Sequence, residues 1–253
     1  MRRFGRNPSP FDERDYNLRN FIPLGADLSL DGVDEKNWEY PSTPLDQLDT
    51  QHCVGFSMAN FGINLPIFRP YTNDDAHRFY YLCKEYEGRP LSEEGSSMRA
   101  AAEVLLSLKK IEAYAFAPDM AVIKWWLLNR GPLMVGTIWT TSMMTPIDNI
   151  ITVGGELAGG HAYLINEWTL NNYIGIQNSW GNNWGVNGKA YISLADFEKL
   201  FTYYGEAVAT VDLDDAVIPV DPPAEEEPVI PPATNKGCFP VLASLMRNGH
   251  DGI

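Results

Sequence analysis

Residues 177–188 read QNSWGNNWGVNG, two Trp-Gly pairs set among four asparagines and three glycines. Asn and Gly dominate turns for backbone reasons, so a turn-rich surface loop accounts for most of this composition. It does not account for two indoles on one short loop. Just upstream, HAYLINEW (161–168) and NYIGIQN (172–178) are rich in β-branched and aromatic residues and meet at a turn. They read as an antiparallel hairpin, with His161 opening the first strand and Asn178 returning level with it at the end of the second. An amide oxygen placed there accepts a hydrogen bond from one ring nitrogen and fixes the tautomer that leaves the other nitrogen as a base. Trp180 lies two residues on, close enough to shield that bond from water. The bland alternative makes His161 only a polar residue at a strand end.

A base calls for a nucleophile. Cys53 stands where loop becomes helix in DQLDTQHCVGFSMAN (46–60). Unpaired N–H donors and the positive end of the helix dipole lower the pKa of a thiol there. The alternative is a small buried hydrophobe, which suits Cys83 better, mid-helix among Phe79, Tyr80 and Tyr86. Cys238 reads as exposed. Three cysteines without a CxxC pair leave at least one unpaired, so a disulfide scaffold is not expected and a reducing compartment is. Of the other histidines, His52 adjoins Cys53 but should point away from it. His77 sits on a helix beside Arg78, and His250 lies in the tail.

With 45% apolar and 21% charged residues, the 253-residue chain can build an ordinary packed core. A net charge of -14 argues against a nucleic-acid partner, which needs clustered Lys and Arg. No stretch approaches the roughly 20 apolar residues of a membrane span. MRRFGRNPSPFDERDY begins like a signal peptide, but charged residues stand where its apolar run should be, so no signal peptide is expected. A cytoplasmic or virion-associated location follows. Neither HExxH nor CxxC occurs, and GGELAGG lacks a following Lys-Ser or Lys-Thr. No metal or cofactor is expected, and the glycine run reads as a flexible loop before His161.

Residues 1–45 read as an extended arm. Helices are expected from Cys53 to Ile63, after an N-cap at Asn73 through AHRFYYLCKEYE (76–87), after Ser96 or Ser97 over MRAAAEVLLSLKK (98–110), and over DMAVIKWWLLNR (119–130). Strands are expected at 132–140, 161–168, 172–178, 189–194 and 205–213. Helices first and strands second give an α+β protein, with a mainly helical lobe at 46–118 and a mainly strand lobe at 119–215. A Pro/Glu-rich linker (216–236) leads to a short apolar segment (237–253), a candidate docking peptide for a protein partner.

NSWG (178–181) followed by Trp184-Gly185 and Gly188, GHAYLI around His161, and the order Cys, His, Asn together resemble the papain-like cysteine peptidases. The resemblance covers about residues 10–212. It implies a papain-like two-lobe fold, helical N-terminal lobe and antiparallel C-terminal sheet, that hydrolyses peptide bonds in peptide or protein substrates. Cys53 would be the nucleophile, His161 the base, Asn178 its orienting amide and Gln47, six residues before the cysteine, an oxyanion donor. Gly95, Ser96, Gly160 and Trp180 would bind substrate. PSPFDERDY (8–16) is similar to the arm of bacterial and phage-borne members. The chain departs from the family pattern at Thr50, where a cysteine is usual, and at Val54, where an aromatic is usual and without which a gap is expected beside the imidazole. His161 and Asn178 lie 108 and 125 residues after Cys53, where about 130–150 is usual. Two other functions fit these features. One is a silent papain-like module serving as a structural or binding part of a virion or other large assembly. The other is a peptidase of cell-wall cross-links.

Overall fold

The computed structural model describes residues 2–31 and 34–211. The linker 216–236 and the segment 237–253, with Cys238 and His250, lie outside the described residues.

Three helices build one side of the fold: α1 (Cys53–Gly62), α2 (Asn73–Tyr86) and α3 (Met98–Ser107). The cap of α2 is Thr72 rather than Asn73. Its hydroxyl accepts from the Asp75 N–H while the Asp75 carboxylate accepts from the Thr72 backbone and hydroxyl, a reciprocal box that a lone Asn cannot form. The Ser97 hydroxyl caps α3 by accepting from the Ala100 N–H.

Among the described residues, eight strands form one sheet: β1 (Lys36–Asn37), β2 (Ala113–Phe116), β3 (Leu133–Thr140), β4 (Ile150–Ile151), β5 (Leu157–Trp168), β6 (Tyr173–Gln177), β7 (Lys189–Ser193) and β8 (Glu206–Val211). They run in the order β2-β8-β3-β5-β6-β7-β4, with β1 also paired to β5. Pairing is antiparallel except between β4 and β7. Helices α4 (Met120–Asn129, capped by Asp119) and α5 (Leu194–Thr202) pack within the strand side.

β5 is the seam between the two sides. Side chains alternate along a strand, and here both faces are buried. Ala162 and Leu164 join α1–α3 in one core, while Tyr163 and Ile165 join α4, α5 and Trp139, Trp168 and Trp180 in the other. β5 begins at Leu157, four residues before His161, so the histidine sits within the strand and not at its start. The glycines before it are paired to Ile138 and Trp139 of β3, and half of the expected flexible loop is therefore ladder.

A buried amide network locks α1 to the hairpin. The Asn64 amide donates to the Asn60 carbonyl (2.6 Å) and to Gln177 Oε1 (2.7 Å), and the Asn166 amide donates to both Asn64 Oδ1 (2.9 Å) and Gln177 Oε1 (3.0 Å). Gln177 Nε2 in turn donates to Asn60 Oδ1 at 3.3 Å. The helix that starts at Cys53 is thus pinned at its far end to the residue preceding Asn178.

Candidate active site

Cys53 is the first residue of α1 and is fully buried. His52 before it turns away, stacked on Tyr80 at 4.0 Å between ring centroids and hydrogen-bonded through Nδ1 to His77 Nδ1 at 2.7 Å. The other half of the site comes from the β5–β6 hairpin. His161 Nε2 lies 2.8 Å from Asn178 Oδ1, and the same oxygen accepts from the Ser179 N–H at 2.8 Å. An oxygen that takes a backbone N–H can only accept from the ring, so Nε2 carries the proton and Nδ1 is left with a lone pair. Nδ1 is buried and has no hydrogen-bond partner.

The imidazole sits in an aromatic box. Trp139 meets it edge-on at 4.8 Å, Trp180 lies tilted against it at 5.0 Å, and Phe4 closes the third side at 5.7 Å. Phe4, the third ring against the imidazole, is a residue of the N-terminal arm. Trp184, the second indole of the loop, packs on Trp180 and donates to the Met144 carbonyl at 3.0 Å.

Gln47 is fully buried, and both ends of its amide are engaged. Its Oε1 accepts from the Ser179 hydroxyl at 2.7 Å, which fixes the amide's orientation. Its Nε2 donates to the Thr50 carbonyl at 2.7 Å and to the Arg3 carbonyl at 3.1 Å.

The arm itself was the part of the site that local sequence reading missed. Residues 2–9 run across every position expected to bind substrate. The Ser96 N–H donates to the Gly5 carbonyl (2.9 Å), and the Asn7 N–H donates to the Ser96 carbonyl (2.8 Å), so Arg6 lies parallel to Ser96 as an added strand. On the other flank the Arg6 N–H donates to the Gly160 carbonyl at 2.9 Å. A side chain at Gly160 would place Cβ 2.2 Å from the Arg6 carbonyl oxygen. Gly95, at φ +79, would put a Cβ 2.9 Å from both the Gly5 carbonyl oxygen and the Asn7 amide. Arg2 donates to the Trp180 carbonyl at 2.6 Å and pairs with Asp46. Arg3 pairs with Glu94, and the guanidinium of Arg6 donates to Glu206 Oε2 at 2.6 Å. Three arginines in the first six residues of an acidic chain were the available signal, and it resembled a leader segment more than a ligand.

Burial sets the charge state. Desolvation pushes the Cys53 thiol up to about 11, against the smaller pull of backbone N–H groups of Ala162, Gly5, Val54 and Cys53 itself. The expected lowering at a helix start is reversed, because loss of water outweighs the dipole when the site is covered. Burial likewise holds His161 down to about 4, opposed by its hydrogen bond to Asn178. In the covered site both groups are neutral at pH 7. The second cysteine, Cys83, is free, buried within α2, and its Sγ lies 3.6 Å from Met58 Sδ.

No protein-family model and no curated protein sequence matches this chain. Its fold is similar to that of solved structures. Xylellain, a cysteine protease from Xylella fastidiosa, superposes with a TM-score of 0.64 at 19% identity over 82% of this chain and 96% of that one. The procathepsin B S9 of Trypanosoma congolense gives a TM-score of 0.50 at 13% identity, over 66% of this chain and 70% of that one.

Proposed function

We propose, on the premise of the papain-like two-lobe fold that this chain has, that it is a cysteine peptidase acting through Cys53, His161, Asn178 and Gln47. The observation that carries the reading is the imidazole of His161: one nitrogen is held by an amide beside an indole, the other is buried without a hydrogen-bond partner, and the next residue on the strand, Ala162, turns its backbone N–H toward the Cys53 sulfur.

In the proposed reaction a peptide replaces the arm, and water and substrate enter together. His161 Nδ1 takes the Cys53 proton, and the thiolate sulfur adds to the scissile carbonyl carbon. The carbonyl oxygen becomes an oxyanion that accepts from Gln47 Nε2, which now donates to the Arg3 carbonyl. The C–N bond then breaks, and the leaving amine takes the proton from His161. Water adds to the thioester, its proton passing to His161, and the acid departs as the thiol re-forms. Asn178 holds the ring throughout and stabilises its protonated form.

Gly5→Ala opens the site and leaves these four side chains unaltered, since a Cβ there would stand 1.8 Å from the Gln51 carbonyl oxygen and drive the arm off. Intact-mass analysis after reaction with a peptidyl epoxide should find one adduct, at Cys53, faster in Gly5→Ala than in the wild type and absent from Cys53→Ala. Labelling of Gly5→Ala no faster than that of a free thiol would sink the enzyme. That outcome would favour the second reading, for which the filled cleft is the supporting observation: a silent structural or binding module of a virion or other assembly, with its arm seated permanently.

A further inference from the structure

Ser96 carries main-chain contacts of the arm, and the groups that hold it in place lie behind it on α2. Tyr80 and Lys84 stand one turn apart on that helix, and Glu87 ends it. The Tyr80 hydroxyl accepts from the Gly95 N–H at 3.1 Å, and Lys84 Nζ donates to the Gly95 carbonyl at 3.0 Å. Glu87 Oε1 accepts from the Ser97 N–H at 3.0 Å and from the Ser97 hydroxyl at 2.8 Å. Both backbone groups of Gly95 and the N–H of Ser97 are therefore engaged by the helix. That leaves the N–H and carbonyl of Ser96 between them, and the arm takes both, through the Gly5 carbonyl and the Asn7 N–H. A residue that offers its N–H and C=O together to an extended chain is a strand edge one residue long.

Lys84 is an unusual choice for this work. It is fully buried, and Tyr80 is nearly so. Burial lowers the Lys84 pKa from its ordinary value and Arg89 adds to the lowering, while Glu87 and Glu93 oppose it. A methionine there would fill similar space with no charge to desolvate. What it could not do is hold the Gly95 carbonyl inward. Gly95 meets the helix halfway, since its φ of +79 turns its backbone in a way that other residues resist. Tyr80 also stacks on His52, the residue before Cys53, at 4.0 Å, so one face of α2 abuts both the edge and the start of α1.

We propose that Lys84 is a positioning residue, with Tyr80 and Glu87 as its partners: by anchoring Gly95 and Ser97 from behind, the three fix Ser96 as the edge that grips the arm, and any peptide that replaces it, by the main chain. The part that concerns a substrate rests on the peptidase reading, whereas the part that concerns the arm is measured without it. In the full-length chain Lys84→Met keeps the length of the side chain and removes the ammonium. Tyr80→Phe keeps the ring on His52 and removes the acceptor, a second route should the first variant fold poorly. Iodoacetamide labelling with peptide mapping reads two thiols in one sample. Cys53, whose sulfur is faced by the Gly5 N–H, reports the seating of the arm, and Cys83, buried beside Lys84 on α2, reports any loosening of the helix.

Cys53 should be labelled about tenfold faster than in the wild type for Lys84→Met and about fivefold faster for Tyr80→Phe, the usual worth of a charged and a neutral hydrogen bond, with Cys83 unchanged. An unaltered Cys53 rate, or Cys53 and Cys83 accelerated together, would overturn the proposal. In the Gly5→Ala background, Lys84→Met should raise KM for a peptide about tenfold and leave kcat within about twofold, the signature of lost main-chain binding. A fall in kcat at constant KM would count against it equally. If Gly5→Ala cleaves no peptide while the Cys53 and Cys83 rates still separate, the positioning role stands and the peptidase is removed.

Discussion

Gln47 is a single side chain asked to do two things. Its carbonyl end is tied to Ser179 and its amide end now serves the Thr50 and Arg3 carbonyls. If that amide holds the oxyanion, Gln47→Glu in the Gly5→Ala background keeps the shape, loses the donor and should lower kcat about a hundredfold. An unchanged kcat would take Gln47 out of the reaction. The thiol gives a second residue-level expectation. With its pKa pushed up to about 11, Cys53 in the covered site holds far less thiolate at pH 7.5 than a free cysteine. Iodoacetamide should therefore modify it on the order of a few hundredfold more slowly, accelerating as the pH climbs toward 11, with peptide mapping used to isolate Cys53. A rate matching that of free cysteine at pH 7.5 would show that the site is not sealed.

At the scale of elements, the geometry of the site depends on how α1 meets the hairpin. Asn60 is buried, accepts from Gln177 Nε2 and donates to the Asn178 carbonyl at 3.4 Å. Asn60→Ala strands both partners and should cost about 1–3 kcal/mol, read as a lowered urea midpoint, with kcat falling as Asn178 loses its anchor. A midpoint unchanged within about 0.5 kcal/mol would show that the network relaxes without penalty. The elements differ in how far their sequence revealed them. α1, α3, α4, β3 and β6 carry periodic apolar runs and clear stop signals, and Ser97 caps where a serine was expected. α5 was missed because it follows β7 directly, with Ser193 both ending the strand and capping the helix. β2 and β4 are four and two residues long, too short for any period to show. Cys53, His161, Asn178 and Gln47 could be named as candidates because the proposed chemistry demands particular residue types. Arg6 and Glu206 could not, since nothing local links residues 200 positions apart.

For the molecule as a whole, buried neutral histidines tie stability to pH. His161 and His52 are each held down to about 4 by burial, His52 also by neighbouring His77, below an unfolded value near 6.5. Between those pH values the unfolded chain binds the extra protons. The stability they contribute is therefore present above pH 6.5 and lost as the pH falls through 4. For His161 the loss by pH 4 is about 3 kcal/mol. Urea titrations at pH 7 and pH 4 should show a larger drop for the wild type than for His161→Gln, and equal drops would remove the linkage. Cys53 acts in the opposite direction: its raised value favours the folded state below pH 9 and the benefit is lost as the pH rises through 11.

The segment that seals the cleft is covalently part of the chain it seals. Its local concentration is fixed by the tether, commonly in the millimolar range for short connections, and does not change when the protein is diluted. Thinning the solution will therefore not wake the protein. A competitor in free solution must outbid a neighbour that never diffuses away, whereas one cut in the chain beyond Ser9 would turn a permanent resident into an ordinary ligand that can be washed out.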